Sequence, residues 1–225
     1  MTPIISTIFS TLLMFIASLA PGADSLVDRW ATALGGRDKI AALKSVYREA
    51  TVQVANYQGM LKVWHCADGK YRKEEKIGPY SNVETFDGSK GMVQLGQAPA
   101  RAMTDAEMEI TRSKRFSNWN AIFFVLFPDR HRGTVSTPRE NTISFKPDGG
   151  IEWQVELDPS SSLPRSMTHN EGGQNITVTF ISYETVEGLQ FEKEIHRSGG
   201  GMNPVILFTK TVINPALEPT LFSLP

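Results

Sequence analysis

The chain reads as a mainly β (α+β) protein: a curled antiparallel sheet, barrel or sandwich, with an N-terminal helix and a mid-chain helix in its concavity. Three observations predict this. Most of the sequence alternates apolar and polar residues with period two, in short runs separated by turn pairs such as Asp68-Gly69, Asp87-Gly88 and Asp148-Gly149. The segment before the first such run has helical spacing instead, and so does one stretch halfway along. About ten or eleven strands in one sheet usually curl or close, and the mid-chain helix can cover its aromatic face only against that sheet.

The first segment, residues 1–22, reads as a secretory signal peptide. Ile4 to Ala20 is an apolar run, Ala20-Pro21-Gly22-Ala23 supplies small residues for cleavage, and Asp24 is the first charged side chain. No Lys or Arg precedes the run, and an N-terminal membrane anchor is the alternative. Cleavage after Gly22 or Ala23 leaves about 200 residues, a single domain over residues 23–225 with room for a core. The product is expected in the periplasm or secreted, as a monomer.

Leu26, Val27, Trp30, Ala31 and Leu34 share one helical face, with Asp24 or Ser25 as cap and Gly35-Gly36 as stop. Arg37 to Leu43 reads as a short second helical segment. From Ser45 the period becomes two: Ala50, Val52 and Val54 alternate with Glu49, Thr51 and Gln53. The same pattern predicts strands over Met60–Cys66, Tyr71–Lys76, Asn82–Phe86 and Gly91–Leu95. Thr104-Asp105-Ala106-Glu107 has the form of a capping box, and Met108, Phe116, Trp119, Ile122, Phe123 and Leu126 follow at helical spacing. Residues 121–127 are apolar all round, so this helix is expected to be buried; Pro128 ends it. Strands resume over Thr142–Phe145, Ile151–Leu157, Pro164–His169, Gln174–Ile181, Gln190–His196 and Val205–Val212, followed by an extended tail.

A net charge of −1, with both signs interspersed, argues against a nucleic-acid partner. The single cysteine, Cys66, excludes an internal disulfide. No nucleophile elbow, metal-protease motif, paired cysteines or phosphate-binding glycine loop occurs, so no catalytic residue, metal site or cofactor is assigned, and the chain is read as a non-enzyme. His65 and Cys66 are strand neighbours pointing to opposite faces. His131, His169 and His196 are isolated in sequence. Glu192 and Glu194 flank Lys193 and alternate with Phe191 and Ile195, the pattern of a solvated strand face.

Four stretches resemble a known family. They are Ala33-Leu34-Gly35-Gly36-Arg37-Asp38-Lys39-Ile40 with its continuation to Val46, Phe86-Asp87-Gly88-Ser89-Lys90-Gly91, Tyr183-Glu184-Thr185-Val186-Glu187-Gly188-Leu189-Gln190-Phe191, and Ile213-Asn214-Pro215 with the close Leu221-Phe222-Ser223-Leu224-Pro225. In this order they are similar to the LolA-like proteins, exported relatives of the outer-membrane lipoprotein-sorting carriers. The chain departs from that pattern at Met92, where relatives often have Trp, and at Glu192, where they often have Pro. The resemblance implies an unclosed β-barrel with helices across its mouth and a concave apolar face that takes up acyl chains of lipids or lipoproteins. The alternative is a sensor of the same fold that binds envelope proteins and holds no lipid.

Strand alternation nominates the residues of such a concave face: Val52, Val54, Trp64, Trp153, Ile176, Val178 and Phe180. Phe116, Trp119 and Phe123 would close the site from above. The other outcome is that these side chains fill a solid core, as in many small barrels.

Overall fold

Thirteen antiparallel strands hydrogen-bond into one sheet that does not close on itself. The computed structural model describes residues 23–114, 119–127, 131–201 and 203–224. Two helices lead in, α1 (Ala23–Ala33) and α2 (Arg37–Ala41). Six strands follow as a meander: β1 (Ser45–Val54), β2 (Tyr57–Cys66), β3 (Tyr71–Ile77), β4 (Tyr80–Phe86), β5 (Gly91–Leu95) and β6 (Arg101–Ala102). Helices α3 (Asp105–Lys114) and α4 (Trp119–Leu126) come next. The second meander is β7 (Gly133–Arg139), β8 (Thr142–Pro147), β9 (Trp153–Leu157), β10 (Pro164–Glu171), β11 (Gln174–Val186), β12 (Leu189–Ser198) and β13 (Val205–Ile213). A 3-10 turn, Pro219–Phe222, follows β13.

The strand order is β6-β5-β4-β3-β2-β1-β13-β12-β11-β10-β9-β8-β7. The two meanders therefore join through β1 and β13, and β6 and β7 are the sheet's edges. These are the two strands that the α3–α4 insertion connects, so the helices sit where the barrel fails to close. They are also the two strands the alternation misses. Every residue of β7 is exposed and β6 has only two residues, so neither carries a half-buried pattern.

Helix α1 buries Leu26, Val27, Trp30 and Ala31, and Leu34 just after it is buried too, the face the spacing predicts. Helix α3 begins in the capping box. The Glu107 amide donates to Thr104 Oγ1 at 3.3 Å, and Glu107 Oε2 accepts from the Thr104 amide at 2.8 Å. Arg101 grips the same carboxylate with both terminal nitrogens at 2.7 Å, and this chiefly holds its pKa down at about 2. Gly91 lets α3 settle on the sheet: a Cβ there would stand 2.5 Å from Met103 Sδ and 2.6 Å from Met108 Sδ.

The four family-like stretches meet at one end of the barrel. The Gln190 amide donates to the Leu34 carbonyl at 3.0 Å, and Lys39 Nζ to the Gly188 carbonyl at 3.4 Å. Gly35 has φ +121°, and a Cβ there would strike the Gly188 carbonyl. Asn214 Oδ1 accepts from the amides of Lys44 (2.7 Å) and Ser45 (3.2 Å), fastening β13 to the start of β1. The tail returns beneath β3, where Arg72 donates to the Leu221 carbonyl at 2.8 Å. In the Phe86–Gly91 stretch, Asp87 Oδ1 accepts from the Ser89 and Lys90 amides at 2.8 and 2.7 Å. Their jobs are turns and staples.

The main core fills only one half of the concave face. Helices α1, α2 and α4 pack there on β8–β12, with Ile122, Phe123, Phe124, Ile143, Phe145, Val155, Leu157 and Phe191 nearly or fully buried. On the other half, Ala50, Val52, Leu61, Val63 and Phe208 form a thinner layer on β1, β2 and β13. Residues 1–22, read as an export signal, lie outside the described residues. Among the described ones, no helix is long and apolar enough to cross a membrane.

Candidate functional site

The half of the concave face that the helices leave uncovered is a cavity of about 1110 Å³. That is slightly above the roughly 300–1,000 Å³ of small-molecule sites. It runs beside β1 from Val46 to Val54, about 26 Å at the usual strand rise of ~3.3 Å per residue. Leu61, Val63 and Ile77 wall one side, and Val178, Phe180, Ile195, Ile206 and Phe208 the other. Phe123 of α4, with Trp153 and Met167, forms the boundary with the filled half.

Of the nominated residues, the structure brings Val54, Phe123, Trp153, Val178 and Phe180 together on the cavity wall. Val52 lies on the same face of β1 but is packed in the layer beneath, 2% exposed. Ile176 is also buried, roofed by the Gly199–Gly201 turn: a Cβ on Gly200 would lie 3.2 Å from its Cδ1. Trp64 belongs to the opposite face. It stacks on Tyr47, centroids 4.7 Å apart, and its neighbours Val63 and His65 point inward instead. In a run Leu61-Lys62-Val63-Trp64-His65, size does not set direction; the pairing of Tyr47 with Trp64 does. Phe116 lies outside the described residues, and of Trp119 only the helical backbone is described.

The wall is not purely apolar. Arg48, from the middle of β1, is 3% exposed at its side chain and pairs with Glu192, 8% exposed, at 2.6 Å. Arg48 also donates to the Glu192 backbone carbonyl and, through Nε, to Thr211 Oγ1 at 3.1 Å. Its guanidinium lies 3.4 Å above the Phe208 ring centre and 5.5 Å from that of Phe191. Burial draws its pKa below the ordinary value, against the charges of Glu192 and Glu184. Glu192 was expected on a solvated face beside Glu194; it is instead 6% exposed and on the cavity wall. The register of β11 against β12 shifts at Phe180, Ser182 and Tyr183, and an irregularity there turns Glu192 out of phase with Ile195 and Arg197, which also reach the cavity. Glu194 remains outside this group, 2.7 Å from His196.

Further polar groups ring the cavity. Lys73 lies 2.9 Å from Glu84 and 3.5 Å from Glu75. Burial works to lower its pKa, but the two carboxylates outweigh it and leave the net shift upward. His169 stacks on Trp153 at 3.9 Å and reaches Glu171 at 3.3 Å, and Arg197 approaches the same carboxylate at 3.6 Å. His65 is held down at about 4, first by burial and then by the charge of Arg48. At one end, Tyr57 and Tyr80 meet edge to face at 6.3 Å, 45% and 70% exposed, and frame an opening. Cys66 is buried, and burial chiefly pushes its thiol up to about 12, far from thiolate chemistry at neutral pH. Among the described residues, no group of three His, Cys, Asp or Glu side chains is placed to hold a metal.

Arg48 was legible in principle. It falls on the apolar register of β1, between Val46 and Ala50, where a charge has no place unless it is paired. Glu192 was not, because a bulge leaves no reliable mark in the alternation.

No family model and no curated protein matches the chain. Solved structures do. A DUF1329 family protein from Desulfovibrio piger is 10% identical with a TM-score of 0.59, covering 89% of this chain and 97% of its own. A putative outer membrane lipoprotein-sorting protein domain from Vibrio parahaemolyticus is 9% identical, TM-score 0.56, with 88% and 94% covered. A LolA superfamily protein from Nitrosomonas europaea is 9% identical, TM-score 0.55, with 90% and 97% covered. At such identities the likeness is one of fold: an unclosed, mostly β, LolA-like architecture curled around a few helices.

Proposed function

We propose that the chain is a non-enzymatic carrier, exported to the periplasm after loss of residues 1–22, that holds acyl chains of lipids or lipoproteins. The observation that carries this reading is the division of the concave face. One half is packed solid by α1, α2 and α4, while the other keeps an elongated cavity with a largely apolar wall and Tyr57 and Tyr80 at one end. Each methylene moved from water to such a wall is worth about 0.8 kcal/mol, so a long chain supplies the affinity without any covalent step. The sorting-domain likeness supports the same reading at the level of fold. Glu192 and Arg48 are read as binding rather than catalytic groups.

The test is to purify the protein from the cell envelope, extract it with organic solvent and identify bound lipid by mass spectrometry. The stripped protein is then titrated with a fluorescent fatty-acid analogue. Co-purified lipid with saturable uptake supports the carrier. No lipid and no uptake would refute it and move the chain to the alternative, an envelope module that binds proteins.

A further inference from the structure

Three buried polar atoms without a hydrogen-bond partner belong to residues of the cavity wall. Among the described residues, Glu192 Oε2, Trp153 Nε1 and Asn82 Oδ1 are buried and accept or donate no hydrogen bond, and all three residues line the cavity. Glu192 is the best defined. Its Oε1 is taken by Arg48 at 2.6 Å, its backbone carbonyl accepts from the same guanidinium, and Arg48 is itself fixed by Thr211 and the Phe208 ring. The carboxylate is therefore held in place from several sides. A buried carboxylate oxygen left bare is costly, and one that accepts a hydrogen bond is among the stronger acceptors a protein offers.

We propose that Glu192 Oε2 is a selectivity anchor: the cavity takes an amphiphile that carries a hydrogen-bond donor, a hydroxyl or an amide N–H, and places it against this oxygen. The inference rests on the carrier reading and narrows it. A plain hydrocarbon, or a head group that only accepts hydrogen bonds, would leave Oε2 unpaired. A hydroxyl or amide N–H satisfies the oxygen while its chain lies along Val178, Ile195 and Phe208.

The experiment uses the stripped full-length mature protein and displacement of the hydrocarbon fluorophore diphenylhexatriene. Two matched pairs compete: dodecanol against dodecyl methyl ether, and N-methyldodecanamide against N,N-dimethyldodecanamide. Each pair differs by one donor. The donor member is expected to displace the fluorophore about tenfold better, the size of one buried hydrogen bond. The pair with the larger ratio tells whether hydroxyl or amide is the preferred source. In Glu192→Gln, and in the double variant Arg48→Met/Glu192→Met, the ratio should fall to near one. The ratio is taken within each protein, so a change in overall affinity does not enter it. Equal displacement within both pairs by the wild type overturns the anchor and leaves the carrier standing. So does a tenfold ratio that survives in either folded variant. If the wild type takes up no fluorophore, anchor and carrier fall together.

Discussion

The Arg48 guanidinium stands 2.6 Å from the Glu192 carboxylate on the wall of a cavity whose other near neighbours are Phe208 and Ile195. The pair links β1 to β12 across β13, the seam where the two meanders join. Both partners are desolvated, so the attraction between them is offset by what each loses on leaving water. Removing one partner is a different matter. Arg48→Met leaves the buried Glu192 carboxyl without its ion-pair partner, and should cost about 3–5 kcal/mol. Arg48→Met/Glu192→Met should recover most of that loss. Urea unfolding of the wild type, both single variants and the double variant checks this. A double variant as unstable as the sum of the singles would mean the two groups are not coupled.

That pair also marks where the sequence is readable and where it is not. Strands such as β1, β2 and β9 show in the alternation because one face of each is more buried than the other. The edges β6 and β7 do not, since neither face of β7 is buried. The division of the concave face into a filled and an open half is invisible in any single strand. Val155 on β9 and Val178 on β11 flank β10 and sit in similar patterns, yet one is fully buried and the other borders the cavity. What separates them is α4, whose position over β8 is a tertiary fact. Trp64 shows the same limit on a smaller scale: its face is fixed by its pairing with Tyr47 and not by its bulk.

His65 should make stability depend on pH. Its pKa is about 4 in the folded chain, below the ordinary 6.5, because burial and Arg48 oppose its charge. Between these values the unfolded chain binds a proton that the folded chain refuses. The stabilisation is thus present above pH 6.5 and is lost as pH falls toward 4. Part of the ring faces the cavity, so the loss is set at roughly 1–3 kcal/mol. Thermal melts at pH 7 and pH 4.5 should show a larger drop for the wild type than for His65→Leu. Equal drops would place the sensitivity elsewhere.

Phe123 joins α4 to both halves of the concave face: it is 3% exposed, packs 6.0 Å from the Phe127 ring, and contributes to the cavity wall. Phe123→Asp puts a carboxylate where no partner waits and should cost several kcal/mol. Phe123→Leu keeps the site apolar with a small void, for a loss of about 1–2 kcal/mol. Guanidinium unfolding separates the two. Near-equal midpoints for wild type and Phe123→Asp would mean that α4 can leave the sheet without consequence.

The sharpest prediction sets Val178 against Val155. Val178 borders the cavity, so the added indole of Val178→Trp has space to enter. The variant should melt within a few degrees of wild type and lose uptake of the fluorescent fatty-acid analogue, because the ring occupies the volume the chain would use. Val155 is fully buried between Ile143 and Met167 in strand register, within the half that α4 packs. Val155→Trp overfills a close-packed region and should cost roughly 1–3 kcal/mol or more, while whatever fraction folds still takes up the analogue. The two substitutions are chemically identical and differ only in which side of Phe123 they fall. Differential scanning calorimetry with parallel uptake titrations reads both. If Val178→Trp destabilises as much as Val155→Trp and uptake survives in both, the open half is closed in solution and the cavity is not where a chain is held.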